Sequence, residues 1–319
     1  MSNTILSIRD LVADYVVREG IIRAVDHVWL DLSEGEIMGL VGESGCGKTS
    51  LVQAAVNLMP PNGYIRGGQV LFRGIDILKL SSEESRKLRW EKIAIVFQAA
   101  QSSMNPVLKV QDHMVDTFMA HRKGSKEEII KKACRLLELV QLDPAQVMSA
   151  YPHELSGGMR QRVIIAMSLL LDPEILILDE PTSALDVVTQ SVVLDAVKRV
   201  HEEMRISMLY VTHDLPTLAE IADRIAVMYA GKILEIADVN SIFFEPKHPY
   251  TVGLINSIPS IVGDLSKLKP IPGNPPSLLH KPSGCVFHPR CEYRTDLCRK
   301  VEPKLKEIGR RCFVACHRY

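Results

Sequence analysis

Three observations predict an α/β fold with a mostly parallel sheet. Four short β-prone apolar runs lack the polar alternation of a half-wetted strand, helical stretches separate them, and a glycine-rich loop stands between the first run and a helix. The runs are 37–41 (IMGLV), 93–97, 175–178 and 206–212, each stopping at a polar residue or a glycine turn. Two hairpin-like regions, 6–32 and 67–78, fit a smaller antiparallel layer. A helix over 126–140 follows from apolar Ile129, Ile130, Ala133, Leu136, Leu137 and Val140, and a second is expected over 187–204. The stretch 225–236 is expected to be a hairpin turning at Ala230 and Gly231.

With 319 residues, 46% hydrophobic and 24% charged, the chain fits about two folded domains at roughly 150 residues each. Its longest apolar run, VIIAMSLLL at 163–171, falls short of the ~18 to 20 residues that a membrane helix needs. The opening MSNTILSIRD lacks a basic stretch followed by an apolar core, so a cytoplasmic protein is expected. Lys plus Arg equals Asp plus Glu at 38 each, which removes the basic footprint of general nucleic-acid binding. Ten of 18 prolines lie after residue 240, and five of seven cysteines fall in the last 35 residues. A boundary near 240 is therefore expected, dividing an α/β domain over 1–240, with a helical part at about 100–165, from an extension over 241–319. Clustered thiols in a reducing compartment point to metal or cluster ligation before disulfides.

The segment 42–49 is GESGCGKT, which satisfies G-x-x-x-x-G-K-[ST] between a strand and a helix beginning near Thr49. Glycines let the backbone wrap so that its N–H groups and the helix N-terminus face phosphates, Lys48 supplies a cation, and the Thr49 hydroxyl suits magnesium. Cys46 is a small spacer in the tight path. Downstream, EILILDEP sets Asp179 and Glu180 at the end of a buried strand, where adjacent carboxylates are costly without a partner. A magnesium-nucleotide site is that partner: Asp179 holds the ion through water, and Glu180 activates the attacking water. LSGGM at 155–159 offers a serine hydroxyl and open N–H groups at a helix start, a second phosphate-binding surface.

These motifs together resemble the nucleotide-binding subunit of an ABC transporter, over essentially the whole chain. GESGCGKT resembles the Walker A loop, Gln98 after KIAIVF the Q-loop, LSGGM the signature, ILILDE the Walker B strand, SALD the D-loop and His213 the H-switch. The resemblance implies a P-loop NTPase core carrying antiparallel and helical subdomains. It also implies two subunits sandwiching two ATP molecules head to tail. It assigns ATP contacts to Tyr15, Gly42, Ser44, Gly45, Cys46, Gly47, Lys48, Thr49, Ser50, Gln98 and Asp179, and in trans to Ser156, Gly157 and Gly158. Magnesium falls to Thr49, Gln98 and, through water, Asp179; catalysis falls to Glu180, His213 and Lys48. Tyr15, expected in a loop after the first strand, matches the aromatic that stacks on adenine.

After residue 240, EPKHPYTVGLINSIPS and GCVFHPRCEYRTDLC resemble the extension on ATPases of the oligopeptide and dipeptide uptake group. Spacing alone leaves zinc and an iron-sulfur cluster both open for the thiolates. Relatives ligate a 4Fe-4S cluster with four cysteines, the last before a histidine. The resemblance therefore implies Cys285, Cys291, Cys298 and Cys316 as ligands, with Cys312 as the spare. It further implies two integral membrane permeases, contacted near Gln98 and the following AAQSSMNP. A second, similar ATPase, an extracellular substrate-binding protein and a place on the cytoplasmic face of the membrane complete the implied assembly. Peptide is the expected cargo, with oligosaccharide or nickel as alternatives. Two other functions compete: a soluble ABC ATPase acting on nucleic acid or ribosomes, and an iron-sulfur regulator that only senses ATP. The charge balance opposes the first, and intact Glu180 and His213 oppose the second.

Overall fold

The computed structural model describes residues 3–98, 100–258 and 271–319. Ala99 of the expected membrane-contact segment, Pro259 and Ser260 of the oligopeptide-type segment, and Pro270 among the late prolines lie outside the described residues. No helix among the described residues is long and apolar enough to cross a membrane.

The strands in chain order are β1 (Thr4–Val17), β2 (Gly20–Ser33), β3 (Ile37–Val41), β4 (Gly63–Phe72), β5 (Ile75–Asp76), β6 (Ile93–Val96), β7 (Ile175–Asp179), β8 (Ser207–Thr212), β9 (Arg224–Tyr229), β10 (Lys232–Asp238), β11 (Lys306–Gly309) and β12 (Cys312–Val314). The helices are α1 (Lys48–Ala55), α2 (Ser82–Glu91), α3 (Val110–Met119), α4 (Lys126–Leu139), α5 (Pro144–Val147), α6 (Gly157–Ser168), α7 (Val187–Met204), α8 (Leu215–Ile221), α9 (Val239–Phe244), α10 (Pro249–Asn256) and α11 (Asp296–Lys300). Contacts divide the chain into two units.

The first unit comprises Met1–Leu32, Ile37–Leu78 and Val211–Tyr319. One sheet runs β2-β1-β4-β5, with β1 antiparallel to β4. Its inward side chains alternate poorly because β1 shifts register between Arg9 and Val12, where Asp10 adopts φ 51°. A second run of strands, β11-β12-β10-β9-β3, sets β3 parallel to β9 and the rest antiparallel. β3 and β9 are buried throughout, which explains the apolar run of β3 and that of β9 after Arg224. The β9–β10 turn places both Ala230 (φ 48°) and Gly231 (φ 87°) in the left-handed region, the backbone twist that suits a two-residue hairpin. The extension joins this unit directly: β12 pairs with β10, so 312–314 continue a sheet begun near residue 38.

The second unit comprises Ser33–Glu36 and Lys79–Tyr210. Strands run β8-β7-β6, with β6 and β7 parallel and β7 wholly buried. α4 starts where Ser125 accepts the Glu128 N–H and Glu128 returns the bond, and it buries Ile129, Ala133, Leu136 and Leu137 on one face. That face packs against α3, α6 and α7. α7 begins at the Asp186 cap and ends at Arg205 in the left-handed region (φ 49°).

Tyr15 corrects one expectation. It lies within β1, paired with Gly63 of β4, and not in a loop. The strand continues past the Asp10 irregularity because β4 supplies partners as far as Gly63, a condition invisible in the local sequence.

Candidate functional site

The phosphate loop is shaped by close backbone approaches in the first unit. A Cβ on Gly42 would lie 2.1 Å from Met228 O, and one on Gly47, whose φ is 111°, would lie 2.2 Å from Ala24 O. Only glycine passes through both points. The Gly231 N–H donates to Cys46 O at 2.8 Å, so the β9–β10 turn backs the loop. Lys48 is buried at 5% exposure and donates from Nζ to Gly42 O at 2.8 Å and Glu43 O at 3.4 Å, which curls its ammonium over the loop. Burial pushes the Cys46 thiol up, as suits a spacer and not a reactive thiol. Tyr15 Oη lies 3.1 Å from both Ser50 Oγ and Gln53 Oε1, fixing its ring beside the first turns of α1. Ser44 and Gly45 are exposed, Thr49 and Ser50 are half-buried, and His213 is exposed after β8.

In the second unit, β7 delivers Asp179 with no exposure at all. Glu180 follows in the left-handed region (φ 49°), an uncommon conformation for a non-glycine residue that turns the chain sharply out of the strand. Its carboxylate accepts from Gln98 Nε2 at 3.2 Å, so the structure brings together two residues that the sequence separates by 82 positions. Ser156 caps α6 by accepting the Met159 N–H at 3.2 Å. Gly158 packs against α7: a Cβ there would meet Thr189 Cγ2 at 2.2 Å.

The extension carries a second constellation. Cys285, Cys291, Cys298 and Cys316 line one cavity of ≈ 90 Å³. Cys312 is absent from that lining; it sits on β12 near Glu235 and Lys247. Burial, then the neighbouring Cys298, Cys316 and Cys291, pushes the Cys285 thiol up to about 11. His317 is engaged elsewhere, its Nε2 lying 2.8 Å from Val301 O. Among the described residues no group of three or more His, Cys, Asp or Glu is drawn tightly enough to hold a single metal ion.

Several residues here escaped the sequence analysis. Arg290, at 7% exposure, forms a bidentate ion pair with Glu43, and Asp26 is gripped by Lys232 at 3.0 Å and Lys281 at 3.1 Å. Arg290 and Glu43 stand 247 positions apart, and Glu43 fills an unspecified position of the phosphate-loop motif, so no local signal marks the pair.

A glycine loop on a buried parallel strand, ahead of a helix and holding a buried lysine, defines a nucleotide-binding P-loop ATPase. Comparisons narrow the class. Residues 25–183 match the ABC transporter family model, and residues 234–298 match the C-terminal region of oligopeptide/dipeptide transporters. The dipeptide transport ATP-binding protein DppD of Caldanaerobacter subterraneus subsp. tengcongensis is 50% identical over 316 residues, spanning 99% of this chain and 97% of that protein. The oligopeptide transport ATP-binding protein OppD of Escherichia coli is 40% identical, spanning 95% of this chain and 90% of that protein. A bacterial ABC transporter cassette solved as a dimer superposes with a TM-score of 0.65 at 30% identity, over 73% of this chain and 98% of that one. Its post-hydrolysis state bound to ADP and Pi gives the same TM-score at 29% identity, over the same shares. The chain belongs to the ABC transporter ATP-binding subunits, in their oligopeptide/dipeptide uptake group, and is an ABC ATPase.

Proposed function

We propose that this chain is the ATP-hydrolysing subunit that energises peptide import, working with two membrane permeases and an external binding protein. The observation that carries the reading is the oligopeptide/dipeptide-type C-terminal match on a chain 50% identical to a dipeptide transport ATPase over 99% of its length. The subunit sits peripherally on the cytoplasmic face. It pairs head to tail with a second, similar ATPase, in keeping with the dimeric cassette it resembles.

Each group has a role. The loop N–H groups of 42–49 and the Lys48 ammonium bind the β- and γ-phosphates, Tyr15 stacks on adenine, and Ser156, Gly157 and Gly158 close on the partner's nucleotide. Magnesium would be held by Thr49, Gln98 and, through water, Asp179; when bound, it offsets charge on the phosphate oxygens. The fully buried Asp179 carboxylate fits a cation site. Glu180 takes the proton of the attacking water as its oxygen joins Pγ and the bond from Pγ to the β-phosphate oxygen breaks, leaving ADP and phosphate. Gln98, already 3.2 Å from Glu180, orients that carboxylate, and His213 contacts the γ-phosphate.

For the extension we read Cys285, Cys291, Cys298 and Cys316 as ligands of a 4Fe-4S cluster. Four thiols around one cavity, those of Cys285 and Cys291 buried and those of Cys298 and Cys316 half-buried, suit four-thiolate ligation, and a cationic cluster core would stabilise the thiolates that burial disfavours. The cluster pins a proline-rich segment that has little core of its own.

A mild-detergent pull-down of the tagged chain from its native cells, read by mass spectrometry, tests the function. Two multispanning proteins and a second ATPase are expected. Ribosomal or DNA-bound proteins without a membrane partner would refute it.

A further inference from the structure

We infer that Arg290 is a positioning residue for nucleotide binding, through which the cysteine-bearing extension holds the phosphate loop in its binding shape. The inference rests on the reading of GESGCGKT as the ATP site and adds a control that the motif itself does not contain.

Glu43 is the second residue of the loop and is fastened at both ends. Arg290 Nη1 and Nη2 donate to its two carboxylate oxygens at 2.7 and 3.0 Å, and the Glu43 N–H donates to Tyr250 Oη at 3.0 Å. Glu43 O in turn faces Lys48 Nζ at 3.4 Å, so the residue that Arg290 grips shares a contact with the phosphate-binding cation. A bidentate guanidinium-carboxylate pair fixes orientation as well as distance, which a single point charge does not.

The grip is itself anchored. Arg290 Nε donates to Pro272 O at 2.8 Å and Nη1 to Tyr229 Oη at 3.3 Å, so two further bonds restrain the guanidinium that meets Glu43. Phe287 packs against both tyrosines, whose rings meet at 4.6 Å, lying 5.4 Å from the Tyr229 ring and 5.3 Å from the Tyr250 ring. Arg290 and Phe287 both lie between Cys285 and Cys291, on the segment whose thiols line the cavity. Order in that segment is therefore transmitted to the loop through two contacts on one residue.

The pair has an electrostatic consequence. A carboxylate on a phosphate loop repels the triphosphate it must receive, and Arg290 neutralises it. Removing the arginine both frees the loop and exposes the nucleotide to an uncompensated anion. Removing the glutamate's charge frees the loop but leaves the Arg290 cation facing the nucleotide, which offsets part of the loss, so the two losses differ in size.

The test is the Kd for Mg-ATP, measured by equilibrium titration of the purified full chain, together with thermal melting. Arg290→Gln is expected to weaken binding about tenfold and Glu43→Gln about threefold. The exchange Arg290→Glu with Glu43→Arg is expected to recover most of what Arg290→Glu loses. Binding that stays within about twofold of wild type in both Gln variants would overturn the inference, as would a lowered melting temperature with Kd unchanged. Should Arg290→Gln not fold, Arg290→Lys, which keeps the charge and loses the bidentate grip, decides in its place, an unchanged Kd refuting the proposal. A wild-type chain that binds no ATP would refute the site reading as well, whereas normal wild-type binding with unaffected variants would refute only the role of Arg290.

Discussion

Gly158→Ala tests why the signature loop needs its second glycine. The added methyl would lie 2.2 Å from Thr189 Cγ2, whereas ordinary carbon contacts begin about 1 Å further out. Both partners sit at the first turns of helices, α6 and α7, so neither backbone can yield cheaply. Overpacking of this kind costs about 2 kcal/mol, or a melting temperature lower by roughly 3 to 6 °C. The displacement also carries Ser156 and Gly157 with it, so ATPase activity of the assembled transporter should fall. Thr189→Ser deletes the offending methyl while keeping the hydroxyl, whose Oγ1 donates to Asp186 at 2.6 Å. Thr189→Ser added to Gly158→Ala should therefore restore both stability and activity. If the double variant melts normally but stays inactive, Gly158 is needed for close approach to phosphate and not for packing against α7. If it recovers neither, the contact reasoning is wrong.

Glu180→Gln should lower ATP hydrolysis by at least about 10²-fold while leaving Mg-ATP binding near wild type; hydrolysis at the wild-type rate would remove Glu180 as the base. After anaerobic iron and sulfide reconstitution, Cys298→Ala should lose the cluster's visible absorbance and bound iron, while Cys312→Ala should keep both, because only the former lines the cavity. Asp26 provides a pH test. Burial tends to raise its pKa, but Lys281 and Lys232 outweigh that and lower it below the usual 3.8. Its folded pKa being depressed, the ion pairs contribute stability above the unfolded pKa and lose it as pH falls through the folded value. Melting curves below about pH 4 should steepen in the wild type and flatten in Asp26→Asn; identical acid limbs would refute the link.

Much of the nucleotide machinery was legible because it is local. The phosphate loop, the buried strand before Asp179, the helix over 187–204 and the hairpin turning at Ala230 and Gly231 each show their signal within about a dozen residues. Helix periodicity, capping and turn chemistry act over that range. Tyr15 fails this condition: whether the chain past Val12 is loop or strand depends on β4, which pairs with it from some fifty residues away. The left-handed Glu180 was equally hidden, since nothing in DEP demands a positive φ.

The amino-acid sequence by itself determined the class of chemistry, because a phosphate loop needs its glycines, lysine and hydroxyl contiguous along one turn of chain. It also supplied five late cysteines, of which the family resemblance, and not the spacing, preferred Cys316 to Cys312. Tertiary structure decided that Cys316 and not Cys312 faces Cys285, Cys291 and Cys298, since β12 pairs with β10 and carries Cys312 away on the sheet. It alone decided that Arg290 meets Glu43 across 247 positions. Contacts of that separation are set by which strands pair and which faces pack, and no short-range propensity encodes them.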